Sequence, residues 1–139
     1  MKDFGRVSMN RMYQTITNTG DTAEGAVTVG TSETNVLEMV AQNFKSFFIE
    51  GRNTHGTQTC TFKIYGTRKF IESVPATGDA HWTASGTHWA LLNTQSAVAA
   101  NTNTTPQSFI DAGYTYLLVT AQGSGAGTTL ISRAMFTTY

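Results

Sequence analysis

Thr59–Tyr65, TCTFKIY, alternates apolar and polar side chains more regularly than any other stretch of the chain. Cys60, Phe62 and Ile64 fall on one face, while threonine, lysine and tyrosine side chains fall on the other. A period of two residues is typical of a β-strand with one buried and one solvated face. The stretch therefore predicts an antiparallel sheet that covers a core on one side.

Strand-like sequence continues on the N-terminal side of this segment. Lys45–Arg52, KSFFIEGR, alternates in the same way, and the turn residues of Gly51–Gln58 follow it. The unit over residues 44–66 predicts an antiparallel hairpin. Further upstream, Asn35–Gln42 fits either a strand or one helical turn, because apolar spacings of three and four suit both periods; we favour the strand.

The C-terminal part predicts a second hairpin. Gly113–Gln122 and Thr128–Thr138 are long strand-like runs, and Gly123–Gly127 joins them. Glycines at three alternate positions supply the positive φ values that a tight turn needs. A phosphate-binding loop is a poorer interpretation, because such a loop precedes a helix and the residues that follow here indicate a strand.

The composition also favours an all-β fold. Of 139 residues, 25 are threonine, and only 13% are charged. Threonine prefers strands, and the surface helix formers Lys, Glu, Gln and Arg are scarce. We expect an antiparallel β-sandwich, jelly-roll-like, of about eight short strands. The predicted core consists of Val36, Val40, Phe47, Ile49, Cys60, Phe62, Ile64, Phe70, Trp89, Leu91, Phe109, Leu117, Val119, Leu130 and Phe136.

Residues 1–20 differ from the rest, because they mix polar and apolar types without a clean period and end at a turn signal, Asn18–Asp21. We interpret them as an extended N-terminal arm, followed by the sandwich domain over residues 21–139. Twenty extended residues reach up to about 65 Å, far enough to touch a neighbouring subunit. A first strand of the sandwich itself, or a frayed terminus, is the alternative interpretation.

The charge excludes several partners. Nine basic residues balance nine acidic ones, so the clustered positive charge that binds nucleic acid is missing. A polybasic membrane anchor is excluded on the same ground. The first residues contain no continuous apolar run, which predicts neither a signal peptide nor a membrane span. We therefore expect the product to fold in a cytoplasm, even if it ends up elsewhere.

The sequence shows no constellation typical of an enzyme, and we expect no catalytic residues and no cofactor. His81 and His88 lie seven residues apart, but zinc needs three or four ligands, and only Asp79 is near them. Exposed loop histidines are the simpler interpretation, so no metal site is predicted. The single cysteine, Cys60, excludes an internal disulfide.

The aromatic residues favour contacts with another molecule. Trp89 lies in an apolar run and is predicted to be core, whereas Trp82 lies between polar residues and is a candidate for an exposed contact with protein or glycan. Simple anchoring of the loop by Trp82 is the alternative interpretation. The predicted interface residues are Phe4, Met9, Met12, Tyr13, Ile16, Trp82 and Tyr139.

Three segments carry a family resemblance: TFKIYGTRKF at 61–70, HWALLN at 88–93, and GYTYLLVTAQGSGAGTTLISRAMF at 113–136. In this order they resemble the small β-sandwich proteins of tailed bacteriophages, including head decoration proteins. The order also resembles the galactose-binding, discoidin-type sandwiches. Those usually place serine or asparagine where this chain has Thr67, and arginine where it has Leu118, so no functional residue is carried over.

The phage resemblance implies a virion structural protein that is not an enzyme. Such a protein decorates and stabilises an assembled head, binds the major capsid protein or other virion subunits, and forms a homo-oligomer, with a trimer favoured. The alternative is a carbohydrate-binding or receptor-binding module of a phage tail or fibre.

Overall fold

The computed structural model describes residues 26–41, 46–69, 79–110, 113–125 and 128–137, and every regular element among them is a β-strand. The all-β prediction is thus confirmed, and Thr34–Val40 is a strand, as favoured above. The predicted arm, residues 1–20, lies outside the described residues. The strands are β1 Ala26–Val29, β2 Thr34–Val40, β3 Ser46–Asn53, β4 Cys60–Thr67, β5 Ala90–Val98, β6 Thr102–Asn103, β7 Gln107–Ile110, β8 Tyr116–Gly123 and β9 Thr128–Thr137.

The strands form two antiparallel sheets. Sheet 1 has the order β1-β9-β3, with β6 and β7 both paired to the remaining edge of β3, and sheet 2 has the order β2-β8-β4-β5. Except for β4 and β5, and for β6 and β7, strands that are consecutive in the chain belong to opposite sheets. This order is that of an eight-stranded jelly roll in which one strand is split into β6 and β7.

The split in this strand has a local cause at Pro106. A proline has no N–H to donate to β3, so the ladder is interrupted between Asn103 and Gln107. Within this gap, Thr104 forms two hydrogen bonds with Gly51 of β3, one through its backbone and one through its side chain. Its N–H donates to the Gly51 carbonyl at 2.8 Å, and its hydroxyl accepts the Gly51 N–H at 2.9 Å.

The two hairpin predictions are wrong in their pairing. β3 and β4 do not pair with each other, and neither do β8 and β9; each connection crosses from one sheet to the other. Alternation fixes which side chains face the core, but a crossing connection and a hairpin produce the same alternation. The sequence located these strands correctly and assigned the wrong neighbours.

The core between the sheets agrees with most of the predicted residues whose side chains are described. Leu91 is the exception, because it is 54% exposed. Opposite β4, the register shifts between Tyr65 and Ile64, which leaves Leu92 as an extra residue in β5. The bulge sends Leu92 towards the core and Leu91 towards solvent. The buried core is Val29, Val36, Leu37, Met39, Ala41, Ile49, Cys60, Phe62, Ile64, Leu117, Val119 and Ala121.

Seven other predicted core residues need separate mention. Phe109 is partly buried against the core, and Trp89 and Val40 belong to a second cluster described below. The side chains of Phe47, Phe70, Leu130 and Phe136 lie outside the described ones.

On the side of the sandwich where β5 and β6/β7 are the sheet edges, the side-chain amide of Gln95 connects the two sheets. The Gln95 side chain, from β5 in sheet 2, donates to the Thr105 carbonyl at 2.8 Å and accepts the Thr105 N–H at 2.7 Å. Thr105 lies between β6 and β7, so these two bonds replace a strand pairing and join the two sheets. On the opposite side, β1 and β2 are the edges of their sheets.

Candidate functional site

The connection from β4 to β5 covers the outer face of sheet 2. We call its residues 79–89 the flap. Trp82 and Trp89 of the flap are 4% and 8% exposed, and they pack with Tyr65, Tyr116 and Leu118 of the sheet. Tyr116 and Leu118 alternate along β8 with residues of the main core, so they face outward. Sheet 2 therefore buries apolar side chains on both of its faces.

Short-range turns shape the flap. The N–H of Trp82 donates to the Asp79 carbonyl at 2.9 Å, that of Gly86 to Thr83 at 2.8 Å, and that of Trp89 to Gly86 at 3.2 Å. These successive turns bring the two indole rings to the same side of the flap. Glycine and small polar residues in this segment favour such turns.

Two further hydrogen bonds tie the flap together and to the sheet. The Trp89 indole Nε1 donates to the His81 carbonyl at 2.9 Å. From β2, the Asn35 amide donates to the Trp82 carbonyl at 2.6 Å and to Glu38 at 3.0 Å. Asn35 therefore anchors the flap to the edge strand of sheet 2.

The expectation that Trp82 is an exposed contact is wrong. Its ring centroid lies 5.8 Å from that of Trp89 with an interplanar angle of 29°, and 5.7 Å from that of Tyr116 at 90°. The polar neighbours of Trp82 in sequence are turn residues of the flap, and they carry no information about the sheet face below. The ring holds the flap in place, in agreement with the alternative interpretation of Trp82 as a loop anchor.

The expectation of exposed loop histidines is also wrong, because His81 and His88 are half-buried. Their ring centroids are 5.1 Å apart with an interplanar angle of 24°. The Nε2 atom of each is buried and has no hydrogen-bond partner among the described residues. Burial, followed by the proximity of His88 and Lys69, lowers the pKa of His81.

A polar cluster lies beside the flap, centred on Glu33. Its Oε2 atom accepts the Thr120 hydroxyl at 2.6 Å and the Tyr65 hydroxyl at 2.8 Å, and its Oε1 atom lies 3.3 Å from Lys63 Nζ. Outward-facing residues of two central strands thus meet a carboxylate from the β1–β2 loop. Sequence reasoning missed this cluster, because Thr120 and Glu33 are 87 residues apart and neither belongs to a recognisable motif.

The hydrogen bonds set the ionisation of this cluster. Burial alone would raise the pKa of Glu33, but hydrogen bonds from Thr120, Tyr65 and Lys63 outweigh it and lower the pKa. Burial, followed by the hydrogen bond to Glu33 and its negative charge, raises the pKa of Tyr65 to about 12. Glu33 is therefore an anion at neutral pH that accepts from neutral hydroxyls and one ammonium group.

Glu33 and the flap enclose a cleft of about 270 Å³. Hydroxyl, amide and carboxylate groups line it together with the apolar surface of Trp82 and Ala84, so it suits a small ligand that offers both hydroxyl groups and an apolar face. The lining residues are Glu33, Asn35, Trp82, Thr83, Ala84, Ser85 and Thr120.

The remaining predicted interface residues are not placed. Phe4, Met9, Met12, Tyr13, Ile16 and Tyr139 all lie outside the described residues. Of the seven candidates, Trp82 is the one that lies among the described residues, and it packs inside the protein.

Within the described ranges, no group of three or more His, Cys, Asp or Glu side chains could hold a metal ion. The same ranges contain no helix long and apolar enough to cross a membrane. Burial raises the pKa of the Cys60 thiol to about 11, so this core cysteine is a neutral thiol at neutral pH. Comparison with known family models and with curated protein sequences finds no match to this chain.

Proposed function

We propose that the chain is a structural protein of a virus particle, without enzymatic activity, that decorates an assembled bacteriophage head. In this role it binds the major capsid protein or other virion subunits and copies of itself. It is made in the host cytoplasm and then becomes part of the virion. The jelly roll supports the proposal at the level of fold, since this architecture is frequent in capsid and lectin domains.

The charge pattern of the sheet edges carries the proposal. The edge strands β1, β2, β5 and the split β6/β7 contain one charged residue, Glu38, among their described positions. By contrast, the central strand β3 contains Glu50 and Arg52, and β4 contains Lys63. Soluble proteins commonly protect sheet edges with charged residues, lysine above all. Edges without that protection suit pairing with strands of other chains.

The two sides of the sandwich differ in how well they suit such pairing. On the β5 side, two bulges, Pro106 and the Gln95–Thr105 bonds limit access to the edges. On the β1–β2 side, no comparable bridge joins the described residues. The first described strand, β1, lies on this side and begins at Ala26, and the predicted arm precedes it in the chain. We therefore expect the arm and the β1–β2 side to contact the neighbouring subunit.

Two measurements test this proposal. The chain should copurify with assembled particles at a fixed ratio to the major capsid or tail subunit, and its absence from purified particles would refute the role. Light scattering of the isolated chain should give an oligomer, with a trimer favoured, and deletion of residues 1–20 should lower its mass while the β-sheet circular dichroism remains. If the deletion aggregates instead, the segment is a strand of the sandwich itself.

A second candidate function is glycan binding, and the cleft beside Glu33 is the observation that favours it. A glycan array tests it with Glu33→Gln, which removes the charge at the cleft, against Glu50→Gln, which removes the same charge elsewhere. Binding that is lost with the first variant and kept with the second supports this function. No binding by the unmodified chain across a broad array excludes it.

A further inference from the structure

Two imidazole groups lie among the side chains that the flap and sheet 2 bury together, which we call the flap cluster: Tyr65, Trp82, Trp89, Tyr116 and Leu118. The His81 ring centroid lies 4.8 Å from that of Tyr116, 4.9 Å from Trp82 and 5.1 Å from His88. His88 in turn lies 5.3 Å from Trp89. The two histidines therefore contact both indole rings and Tyr116 of the sheet, so a change in the charge of His81 acts on rings of both the flap and the sheet.

These contacts suit neutral histidines. An imidazolium has two N–H donors, and the buried Nε2 atoms of His81 and His88 find no acceptor among the described residues. The Tyr116 hydroxyl is 0% exposed and also has no partner there. Protonation would place a cation where its hydration is lost and not replaced.

We propose that the flap is a pH-sensitive latch: protonation of His81 releases residues 79–89 from sheet 2 and uncovers the aromatic face beneath. This inference does not depend on the proposed virion role. The main core lies on the opposite face of the sheet and shares none of its buried residues with the flap cluster. The sandwich therefore keeps its core when the flap opens.

The groups that face His81 set the direction of the effect. His88 and Lys69 oppose its protonation, Asp79 and Glu38 favour it, and burial is the largest contribution and opposes it. The result is a pKa below the ordinary value of 6.5. A base with a lowered folded-state pKa stabilises the closed form above pH 6.5, and this stabilisation is lost as the pH falls below that value.

Tryptophan fluorescence reports the latch directly, because both tryptophans of the chain, Trp82 and Trp89, belong to the flap. On titration of the full chain from about pH 7.5 to about pH 5, we expect a reversible red shift of emission with a midpoint below pH 6.5. The β-sheet circular dichroism should stay constant over the same range. Binding of a hydrophobic dye should increase in parallel with the red shift.

Variants separate the latch from general acid unfolding. The double variant His81→Phe, His88→Phe keeps flat rings and removes the titration, so its emission should not respond to pH. The matched control is His55→Asn, which changes the third histidine on the β3–β4 loop and should respond as the unmodified chain does.

Three results would overturn the proposal: constant emission of the unmodified chain down to about pH 5, the same transition in the double variant, or loss of β-sheet signal at the same midpoint. Should the double variant not fold, the single variants His81→Phe and His88→Phe decide the matter, since each should shrink the emission change or shift its midpoint. An unaltered transition in both would also overturn the latch.

Discussion

Replacing Glu33 with alanine removes the acceptor that Thr120, Tyr65 and Lys63 share. The Thr120 residue is 1% exposed, and a buried donor without a partner costs roughly 1–3 kcal/mol. Tyr65 adds a smaller amount, because it is 9% exposed and is less completely buried than Thr120. We expect the variant to lose about 2 kcal/mol of unfolding free energy, which corresponds to a melting temperature lower by about 6 °C.

Lys63→Met is the matched control for this experiment. It removes the ion pair with Glu33, whose side chains are 31% and 30% exposed, and such pairs contribute about 0–1 kcal/mol. Urea denaturation of both variants at pH 7 measures the difference. Equal losses in the two variants would refute the reasoning, because the stabilisation would then come from the ion pair and not from the hydroxyl donors.

The stabilisation that Glu33 provides should also depend on pH in a defined direction. Because the folded-state pKa of Glu33 is lowered, its contribution is fully present above its ordinary pKa of 4.5 and falls as the pH drops through the folded value. The difference in unfolding free energy between the unmodified chain and Glu33→Ala should therefore shrink at about pH 3. A difference that is as large at about pH 3 as at pH 7 would contradict this assignment.

Three further substitutions test the packing, each by its change in unfolding free energy. Asn53→Ala removes a buried amide that donates to the Gln58 carbonyl at 2.7 Å and joins the loops at one end of the sandwich, and it should cost about 2–3 kcal/mol. Gly66→Ala should cost about 1–3 kcal/mol, because a Cβ there would lie 2.8 Å from the Tyr114 ring. Ala97→Gly should stabilise by about 0.5–1 kcal/mol, because Ala97 has a φ of 53° at a bulge of β5; a loss would show that the strain is absent.

The positions of the strands could be predicted from the sequence, whereas their partners could not. Alternation in TCTFKIY correctly placed Cys60, Phe62 and Ile64 in the core. It could not show that β3 and β4 belong to different sheets, because pairing depends on contacts far apart in the chain. A single bulged residue, Leu92, reversed the predicted burial of Leu91.

The candidate site was the least predictable part. Trp82, His81 and His88 lie among turn residues, and local sequence indicates an exposed loop. Trp82 is buried, and the two histidines are half-buried, because β8 carries a second, outward row of apolar side chains, Tyr116 and Leu118, that needs a cover. Since all of Tyr116–Ala121 is buried, the run could have been recognised as a strand buried on both faces.

The central claim is that the sheet edges, whose described strand positions include one charged residue, Glu38, bind other protein chains in a virus particle. Its most direct measurement is the amount of chain in purified particles, compared for the unmodified protein, Thr28→Lys on edge strand β1, and Thr57→Lys on an exposed loop. We expect a fixed ratio of chain to major capsid subunit for the unmodified protein and for Thr57→Lys, and a large loss for Thr28→Lys. Absence of the unmodified chain from particles, or equal incorporation of all three proteins, would contradict the claim.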